Sequence, residues 1–561
     1  MDFNIVVGGE AGQGLKTVDA ILGKILFKMG YNVFSSKDYM SRIRGGHNFI
    51  SIRFGTKKIE GSREEIDLLI ALNEKSIELH KDKIKEKGIL IYDGEPEVDK
   101  EVVDLSAKEI ASEVNKKGVN TVFIGAALKL MGFDISIAED VIRDYFSKES
   151  IQEDNLELLR KGYDSVDSCF ALEEGNDLSS QIYIEGNDAL AMGAAAAGLK
   201  FYAAYPMSPS TGIMNYLAGK QEELDMVVEQ AEDEIAAINM ALGGSYSGVR
   251  SMTGTSGGGF ALMTEAIGLA GIAEIPIVVA DIQRPGPATG LPTRTGQGDL
   301  LFAINAAQDD FPIMVMAPRD HKDLFYQAFR AFNIADKYQM PVIILSDQYL
   351  ADSAKNLEAF DFDSLKIDRA LISEDELEEM EEYKRYLINE SGISPRAYPG
   401  QLDDQVVLID SDEHDEDGHI IEDADIRNAM VEKRIHKLEK FVDEDLKEPI
   451  YIGSDKPDTV LLCWGSTYGV LTEAREILKD EEINVGILSF SDLWPLPTRE
   501  LNELIDKDVS FVSVENNSTG QLAQLISSQT RIKIDKKLLK YDGRPFSAQE
   551  IAKRFQDEVM K

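Results

Sequence analysis

The chain has 561 residues, enough for roughly three or four domains that each bury a core. A formal net charge of −41 argues against a nucleic-acid partner, because phosphate backbones are bound by basic surfaces. No apolar run approaches the ~20 residues that span a bilayer, no basic leader precedes the first strand, and two cysteines exclude a disulfide framework. We therefore expect a cytoplasmic globular protein with no membrane partner. Whether its acidity reflects a saline habitat stays open.

Residues 1–175 are predicted to form a first α/β domain. NIVVGGEAGQG has the pattern of a strand and a glycine turn, and LKTVDAILGKILFKMG has apolar residues at helical spacing. Further strands are predicted at IDLLIAL and GILIYDG, and a helix over Thr121–Met131. The glycine run is similar to a dinucleotide fingerprint. However, the second strand, NVFSSKDYM, lacks a clear acidic residue for a ribose, which disfavours an NAD site.

A basic loop occupies residues 41–55 of this otherwise acidic chain. It contains Arg42, Arg44, His47 and Arg53 within SRIRGGHNFISIRFG. Such a loop can bind the phosphates of a cosubstrate, or it can form salt bridges within the protein or between subunits. The residues alone favour neither alternative.

A second domain is predicted at residues 176–370, after a polar, weakly periodic stretch at 150–180 that is typical of a linker. It begins with an Ala-rich helix, EGNDALAMGAAAAGLK, the strand KFYAAY and the loop YPMSPST. Ser208 lies between two prolines in that loop. Its hydroxyl is therefore either exposed on a preformed turn or part of the N-cap of the next helix.

The following helix carries Glu234 at the head of an apolar face. That face is formed by residues at helical spacing: Glu234, Ile238, Ala241, Leu242 and Ser245. A buried glutamate is rare unless it is paired or functional. Glu234 is therefore a candidate catalytic carboxyl.

The centre of the chain has the order strand, glycine loop, helix, strand and long loop, which is typical of an α/β sheet with a site at its strand ends. The loop TGTSGGG places Thr255 and Ser256 before a helix predicted over Phe260–Ala273, where free N–H groups favour an oxygen-rich ligand. Arg284 follows the apolar strand Pro276–Ile282, at the base of a proline-rich loop. It is placed either to bind a carboxylate in bidentate fashion or to cap the strand end.

Residues 371–450 are predicted to form an acidic linker with helices, and residues 451–561 a C-terminal α/β domain. The linker contains a group of acids and histidines at close spacing: His414, Asp415, Glu416, Asp417 and His419. A metal site is disfavoured, because acidic runs are usually solvated and no second ligand group is apparent. Cys463, inside an apolar strand, is predicted to be a core thiol.

Several segments together resemble the alpha subunit of 2-oxoacid:ferredoxin oxidoreductases, most closely the 2-oxoglutarate enzymes whose gamma domain is fused ahead of the alpha domains. They are YPMSPST, EDEIAAINMALGGSYSGVRSMTGTSGGG, EIPIVV and QRPGPATGLPTRTGQGDL. GGEAGQG and SRIRGGHN are similar to that gamma domain, and CWGSTYGV, LWPLP and VENNSTGQLAQLI to its C-terminal domain. The resemblance implies an α/β protein with several doubly wound sheets. Its domains would be a gamma-like domain (1–175), a pyrimidine-binding domain for thiamine diphosphate (176–370) and a transketolase-like C-terminal domain (451–561).

The resemblance also implies roles for individual residues. Glu234 matches the glutamate that binds the aminopyrimidine ring of thiamine diphosphate, and Arg284 matches the arginine that binds the carboxylate of the 2-oxoacid. Ser208 stands where the family's YPITP loop has threonine, so the hydroxyl is kept but the methyl that restricts its rotamer is lost. Thr255 and Ser256 are expected to line the cofactor site.

Four basic residues are assigned more loosely by the same resemblance. Arg250 and Arg294 are candidates for the distal carboxylate of a dicarboxylic 2-oxoacid, with a salt bridge as the alternative for at least one of them. Arg44 and His47, in the basic loop, are candidates for binding coenzyme A.

The chain lacks the GDG-and-asparagine motif for Mg²⁺ and diphosphate, and it lacks any CxxC set for an iron–sulfur cluster. The resemblance therefore implies a beta subunit that supplies Mg²⁺ and a [4Fe–4S] cluster, ferredoxin as acceptor, and an (αβ)2 heterotetramer. The implied reaction is CoA-dependent oxidative decarboxylation of 2-oxoglutarate to succinyl-CoA and CO₂. The alternatives are the same chemistry on pyruvate, branched-chain or aryl 2-oxoacids, and a non-catalytic paralogue.

Overall fold

A computed structural model describes residues 1–41, 45–401, 406–505, 507 and 509–561. These residues form two compact units. The first comprises Met1–Glu185, Ser353–Ala359 and Ser547–Gln549, and the second comprises Gly186–Asp352, Phe360–Phe546 and Glu550–Lys561. Among the helices described, none combines the length and the apolar character needed to span a bilayer.

The first unit is built on a mixed sheet. Its strands are β1 (Asp2–Ala11), β2 (Asn32–Asp38), β3 (Gly45–Gly55), β4 (Ile66–Ala71), β5 (Ile84–Tyr92), β6 (Glu101–Asp104), β7 (Gln181–Glu185) and β14 (Ala354–Glu358). They lie in the order β6-β5-β4-β1-β3-β2-β14-β7. β1 pairs parallel with β4 but antiparallel with β3. Strands β7 and β14 lie inside the segment 176–370, yet they pair with each other in this sheet.

Six helices belong to this unit. They are α1 (Leu15–Lys28), α2 (Glu74–His80), α3 (Ala107–Val114), α4 (Val119–Leu130), α5 (Ser136–Tyr145) and α6 (Glu149–Asp164). Helices α1 and α2 pack on the sheet, and α3 to α6 pack on other helices of the unit. The prediction that a linker begins at residue 150 is wrong, because α6 is a helix packed on α4. The two helices meet at glycines: a Cβ on Gly125 would lie 2.1 Å from the carbonyl oxygen of Leu159, and a Cβ on Gly162 would lie 2.1 Å from that of Val122. The helical spacing of the apolar residues in α6 was not recognised in the sequence, because charged residues stand between the buried leucines.

The second unit contains two sheets. Its larger sheet has the strands β8 (Leu199–Ala204), β9 (Val227–Gln230), β10 (Arg250–Thr255), β11 (Ile277–Gln283), β12 (Met314–Met316), β13 (Pro341–Asp347) and β18 (Asp492–Trp494), in the order β18-β12-β13-β11-β10-β8-β9. Its smaller sheet has β15 (Ile450–Ile452), β16 (Thr459–Trp464), β17 (Val485–Phe490), β19 (Ser510–Glu515) and β20 (Lys536–Leu539), in the order β15-β17-β16-β19-β20. The α/β class with several sheets, predicted from the sequence, is confirmed.

The remaining helices follow in chain order. They are α7 (Gly186–Ala196), α8 (Thr211–Lys220), α9 (Glu234–Tyr246), α10 (Gly257–Ile272), α11 (Leu300–Ile304), α12 (His321–Tyr338), α13 (Gln348–Asp352), α14 (Glu374–Glu378), α15 (Ala424–Glu444), α16 (Thr467–Asp480), α17 (Arg499–Ile505), α18 (Gln521–Gln529) and α19 (Ala548–Arg554). Strands β8, β10, β11 and β13 run parallel. Their carboxyl ends therefore meet at one edge of the sheet, where α/β proteins place their ligands.

Candidate active site

Glu234 lies at the first position of α9, in the second unit. Asp233 fixes the start of this helix by accepting the N–H of Ala236 at 2.7 Å. Glu234 is 4% exposed, and its Oε1 has no hydrogen-bond partner in the described chain. Gly259 of α10 makes room for this carboxyl, since a Cβ there would lie 2.5 Å from Oε1. A buried carboxyl oxygen without a partner is costly, so this one suits a ligand that donates to it.

The glycine loop between β10 and α10 lines the same place. Thr255 ends β10, Ser256 precedes α10, and both side chains are buried. A Cβ on Gly259 would lie 2.2 Å from Thr255 Oγ1, so Thr255 and Glu234 face the same glycine. Ser256 Oγ makes no cap bond to α10 and is buried without a partner in the described residues. Buried oxygens next to a helix N-terminus form a polar wall suited to a heterocycle or an oxygen-rich ligand.

Arg284 follows β11 and reaches the loop after β8. Its Nη1 donates to the backbone carbonyl oxygen of Ser208 at 2.6 Å, whereas its Nε is buried with no partner among the described residues. Burial lowers the pKa of Arg284, and the nearby carboxyls of Asp281 and Glu234 offset part of that shift. One edge of the guanidinium therefore remains for the carboxylate of a ligand.

Ser208 meets Arg284 through its backbone. The residue is exposed, and the N-cap of α8 is Ser210, whose Oγ donates to the carbonyl of Met207 at 2.8 Å. Of the two alternatives for Ser208, the structure shows the exposed position on a turn. The structure thus brings Glu234, Thr255 and Ser256 together on one side, and Ser208 and Arg284 on the other.

Two acids outside the predicted set, Asp281 and Asp299, belong to this site. Asp281 pairs in register with Thr255, is fully buried, and has no hydrogen-bond partner in the described chain at either oxygen. Burial and then the charge of Asp299 raise the pKa of Asp281 well above its usual range, against the opposing effect of Arg284. Burial also raises the pKa of Asp299 to about 6. The sequence signal was a single acid inside the apolar run IPIVVADI.

Arg250 has a structural role instead of the one expected for it. Its guanidinium is buried and donates to Asp336 at 2.8 Å, to Asn333 at 2.8 Å, and to the carbonyls of Ala197 and Asp368. Arg250 is therefore not a binding group for a distal substrate carboxylate, because its donors are already used by Asp336, Asn333 and two backbone carbonyls. The salt-bridge alternative is the one that the structure shows, inside the protein.

Arg294 is buried in the loop after β11. A Cβ on Gly543 would lie 3.1 Å from the Arg294 Cβ, so the glycine allows the two segments to approach closely. A role for Arg294 in substrate binding stays a prediction.

The basic loop lies in the first unit, and Arg42 and Arg44 lie outside the described residues. His47, on β3, is 8% exposed, and its Nε2 is 2.8 Å from Nε2 of His80. Arg53 pairs with Asp2 at 2.8 Å. For Arg53 the salt-bridge alternative therefore holds.

The close spacing of the acidic and histidine side chains in the linker is explained by a turn of the backbone. Asp415, Asp417 and His419 place ligand atoms within 4.8 Å of one another. Asp415 Oδ1, however, accepts the backbone N–H groups of Asp417 and His419, as in an ordinary turn. His414 is buried against Tyr386, away from this role.

Cys463 is fully buried in β16, as predicted for a core thiol. Burial raises the pKa of this thiol to about 12, which leaves it inert as a nucleophile near neutral pH.

Three protein families match successive parts of the chain. Residues 4–165 match "Pyruvate ferredoxin/flavodoxin oxidoreductase", and residues 192–433 match "Pyruvate flavodoxin/ferredoxin oxidoreductase, thiamine diP-bdg". Residues 457–551 match "Pyruvate:ferredoxin oxidoreductase core domain II". The second match contains Glu234, Arg284 and the glycine loop between them.

Individual relatives cover between 58% and 100% of this chain. A 2-oxoacid:ferredoxin oxidoreductase subunit alpha from a Sulfolobus species is 32% identical, with 98% of this chain and 96% of the relative covered. The 2-oxoglutarate synthase subunit KorA of Methanocaldococcus jannaschii is 32% identical over 58% of this chain and 86% of its own length. The solved 2-oxoglutarate:ferredoxin oxidoreductase of Magnetococcus marinus, with 2-oxoglutarate, coenzyme A and succinyl-CoA bound, is 31% identical. It matches with a TM-score of 0.91 over 100% of this chain and 99% of that one.

Proposed function

The chain belongs to the 2-oxoacid:ferredoxin oxidoreductases as an alpha subunit, and from this premise we propose that its substrate is 2-oxoglutarate. The full reaction would be CoA-dependent oxidative decarboxylation to succinyl-CoA and CO₂, with electrons passing to ferredoxin. The relative solved with 2-oxoglutarate bound supports this choice of acid, and one observation on this chain supports binding of a 2-oxoacid. A buried carboxyl with an unpartnered oxygen, Glu234, and an arginine with an unpartnered Nε, Arg284, lie in one site of the described chain.

The residues of this site fit the pyrimidine half of thiamine diphosphate. Glu234 Oε1 is ready to accept a hydrogen bond from a ring nitrogen, and the hydroxyl of Ser256 offers a second polar contact. When bound, thiamine diphosphate supplies the carbanion chemistry that decarboxylation of a 2-oxoacid requires. The part of Glu234 is to hold the ring and its proton in a site with little water, where such a hydrogen bond is strong.

Arg284 orients the substrate in this proposal. Its open edge binds the carboxylate next to the 2-oxo group, the carboxylate that leaves as CO₂, while its Nη1 stays on Ser208. The raised pKa of Asp281 weakens its competition with a substrate carboxylate for the guanidinium. The exposed hydroxyl of Ser208 and the hydroxyl of Thr255 complete the polar lining.

The parts of the reaction centre that this chain does not provide are assigned to a beta subunit. With cysteines only at positions 169 and 463, this chain cannot bind a [4Fe–4S] cluster through four thiolates. We assign Mg²⁺, the diphosphate contacts and the cluster to that subunit, with ferredoxin as the acceptor and an (αβ)2 assembly. The relatives' designation as alpha subunits supports a partner of this kind.

Coenzyme A is proposed to bind at the basic loop that contains Arg44 and His47. The CoA-bound relative supports a CoA step in this family. His47 is buried against His80, so its contribution would be to hold the loop, and the phosphates would be bound by Arg44.

The test is reduction of a low-potential viologen by this chain co-purified with its beta subunit under anaerobic conditions, with a panel of 2-oxoacids and with CoA present or omitted. CoA-dependent turnover that is fastest with 2-oxoglutarate is the expected result. A preference for pyruvate or a branched-chain acid would overturn the substrate and keep the mechanism. No turnover with any acid, despite a loaded cluster and bound thiamine diphosphate, would favour the non-catalytic paralogue.

A further inference from the structure

Gln297 is a fully buried side chain that joins the loop after β11 to the smaller sheet of the second unit. Its backbone N–H donates to the carbonyl of Asn516 at 2.7 Å, and its Oε1 accepts the N–H of Asn516 at 2.9 Å. Its Nε2 donates to the carbonyl of Trp464 at 2.8 Å, and its own carbonyl accepts from Asn517 Nδ2 at 3.0 Å. Every hydrogen-bonding group of this residue except one amide hydrogen is thus used at the ends of β16 and β19.

The residues beside Gln297 have attachments of their own, Thr295 to β13 of the larger sheet and Gly298 to α18. Thr295 donates to Asp347 at 3.0 Å, and Gln521 donates to the carbonyl of Gly298 at 2.7 Å. Gly465, directly after β16, has a φ of 58° and would place a Cβ 3.0 Å from Gln297 Nε2, so only glycine suits this close approach. The far end of the loop is therefore fixed to rigid elements.

The same short segment lies next to both chain neighbours of Arg284. Gly296 lies beside Pro285, since a Cβ added to this glycine would be 3.4 Å from the ring and the nitrogen of the proline. On the other side, the N–H of Asp299 donates to Gln283 Oε1 at 3.0 Å. Gln297 thus stands between two residues that hold the positions immediately before and after the arginine.

We infer that Gln297 is a positioning residue, which sets Arg284 for the substrate carboxylate by anchoring residues 296–299 to the smaller sheet. The inference rests on the proposed function of Arg284. Without the anchor, Gly296 no longer keeps its place beside Pro285, although Gln283 still pairs with Asp347 of β13 and donates to the carbonyl of Ser346 at 2.9 Å. The guanidinium then samples orientations in which its open edge no longer faces the carboxylate. Because a guanidinium binds a carboxylate through paired, planar hydrogen bonds, a loss of orientation is expected to weaken substrate binding more than it slows the chemical step.

The experiment uses the complete enzyme with Gln297→Ala, Arg284→Ala and the double variant. Gln297→Ala is expected to raise KM for the 2-oxoacid about tenfold with little change in kcat, and to leave the affinity for thiamine diphosphate unchanged. In the Arg284→Ala background the same substitution is expected to change KM less than twofold, because the arginine it positions is gone. The matched control is Gln327→Ala, another buried glutamine, which donates to Ser491 at 2.6 Å and makes no hydrogen bond to the loop in the described chain.

Two outcomes overturn the inference. One is a KM for Gln297→Ala no higher than that of Gln327→Ala, and the other is a tenfold effect that persists in the Arg284→Ala background. If Gln297→Ala does not fold, Gln297→Met, which keeps the length of the side chain without its hydrogen bonds, is judged by the same criteria. An Arg284→Ala enzyme with unchanged KM would instead refute the proposed role of Arg284, and so the two failures are distinguishable.

Discussion

Arg284 donates from Nη1 to the backbone carbonyl oxygen of Ser208 at 2.6 Å, joining the loops that follow β11 and β8. Because the acceptor is a backbone atom, this contact is unaffected by the presence of serine in place of threonine at position 208. The bond uses one edge of the guanidinium and leaves Nε for a ligand. The two loops are thus joined through the arginine, which in the proposed function also binds the substrate carboxylate.

Arg284→Lys tests this arrangement. A lysine keeps the charge but cannot hold the Ser208 carbonyl and a carboxylate in the planar geometry of a guanidinium. We expect kcat/KM for the 2-oxoacid to fall about 100-fold, roughly 2.7 kcal/mol of transition-state stabilisation. Arg475→Lys is the control, since Arg475 pairs with Glu476 on α16. Equal kcat/KM values for Arg284→Lys and Arg475→Lys in steady-state kinetics would contradict the role of Arg284.

Glu234→Gln tests the carboxyl at the head of α9. The amide keeps the shape of the side chain but cannot stabilise a protonated ring nitrogen, so a loss of about 10²- to 10⁴-fold in kcat is expected. Affinity for thiamine diphosphate, measured by calorimetry on the complete enzyme, should weaken as well. Glu232→Gln, two residues away and exposed, is expected to match the wild type in both measurements. A Glu234→Gln enzyme with wild-type kcat would show that this carboxyl has no part in the chemistry.

Asp299→Asn tests the raised pKa beside the site. The folded pKa of about 6 exceeds the unfolded value of 3.8, so the folded state holds the proton more tightly and stability falls as pH rises through this window. Removing the buried charge is therefore expected to stabilise the protein at pH 8 by up to about 3 kcal/mol and to have little effect near pH 4. Urea unfolding of both proteins at the two pH values provides the measurement. A variant equally stable or less stable at pH 8 would contradict the raised pKa.

Much of the fold and part of the site could be predicted from the sequence. The strands around Met252 and Val279 were predictable because each is an apolar run bounded by turn residues. Glu234 and Arg284 stood out because an acid on an apolar helical face and an arginine after a buried strand are each unusual. The partner that binds Arg250 was not predictable, because Asp336 is 86 residues away in the chain.

Other features depend on tertiary contacts that carry no local signal. α6 was missed because its leucines alternate with charged residues, and its packing depends on glycines that meet α4. The raised pKa of Asp281 depends on burial and on Asp299, which the loop after β11 brings close to it. The anchoring of Gln297 requires the ends of β16 and β19, which come more than 160 residues later.

His80 is the basis of a last prediction, on the first unit. Burial, and then the charges of His47 and Lys83, lower the pKa of His80 from 6.5 to about 3. The pKa of His80 is lower in the folded state than in the unfolded state, so the neutral ring contributes to stability above pH 6.5. Below pH 6.5 this contribution falls by about 1.4 kcal/mol per pH unit. The difference in stability between the wild type and His80→Gln is therefore expected to shrink as pH falls from 7.5 to 5.5. Hydrogen exchange of the amides in β3 and α2, corrected for intrinsic rates, measures this difference. His436→Gln, at an exposed position of α15, is the control, and a wild-type-minus-variant difference that is constant with pH would refute the prediction.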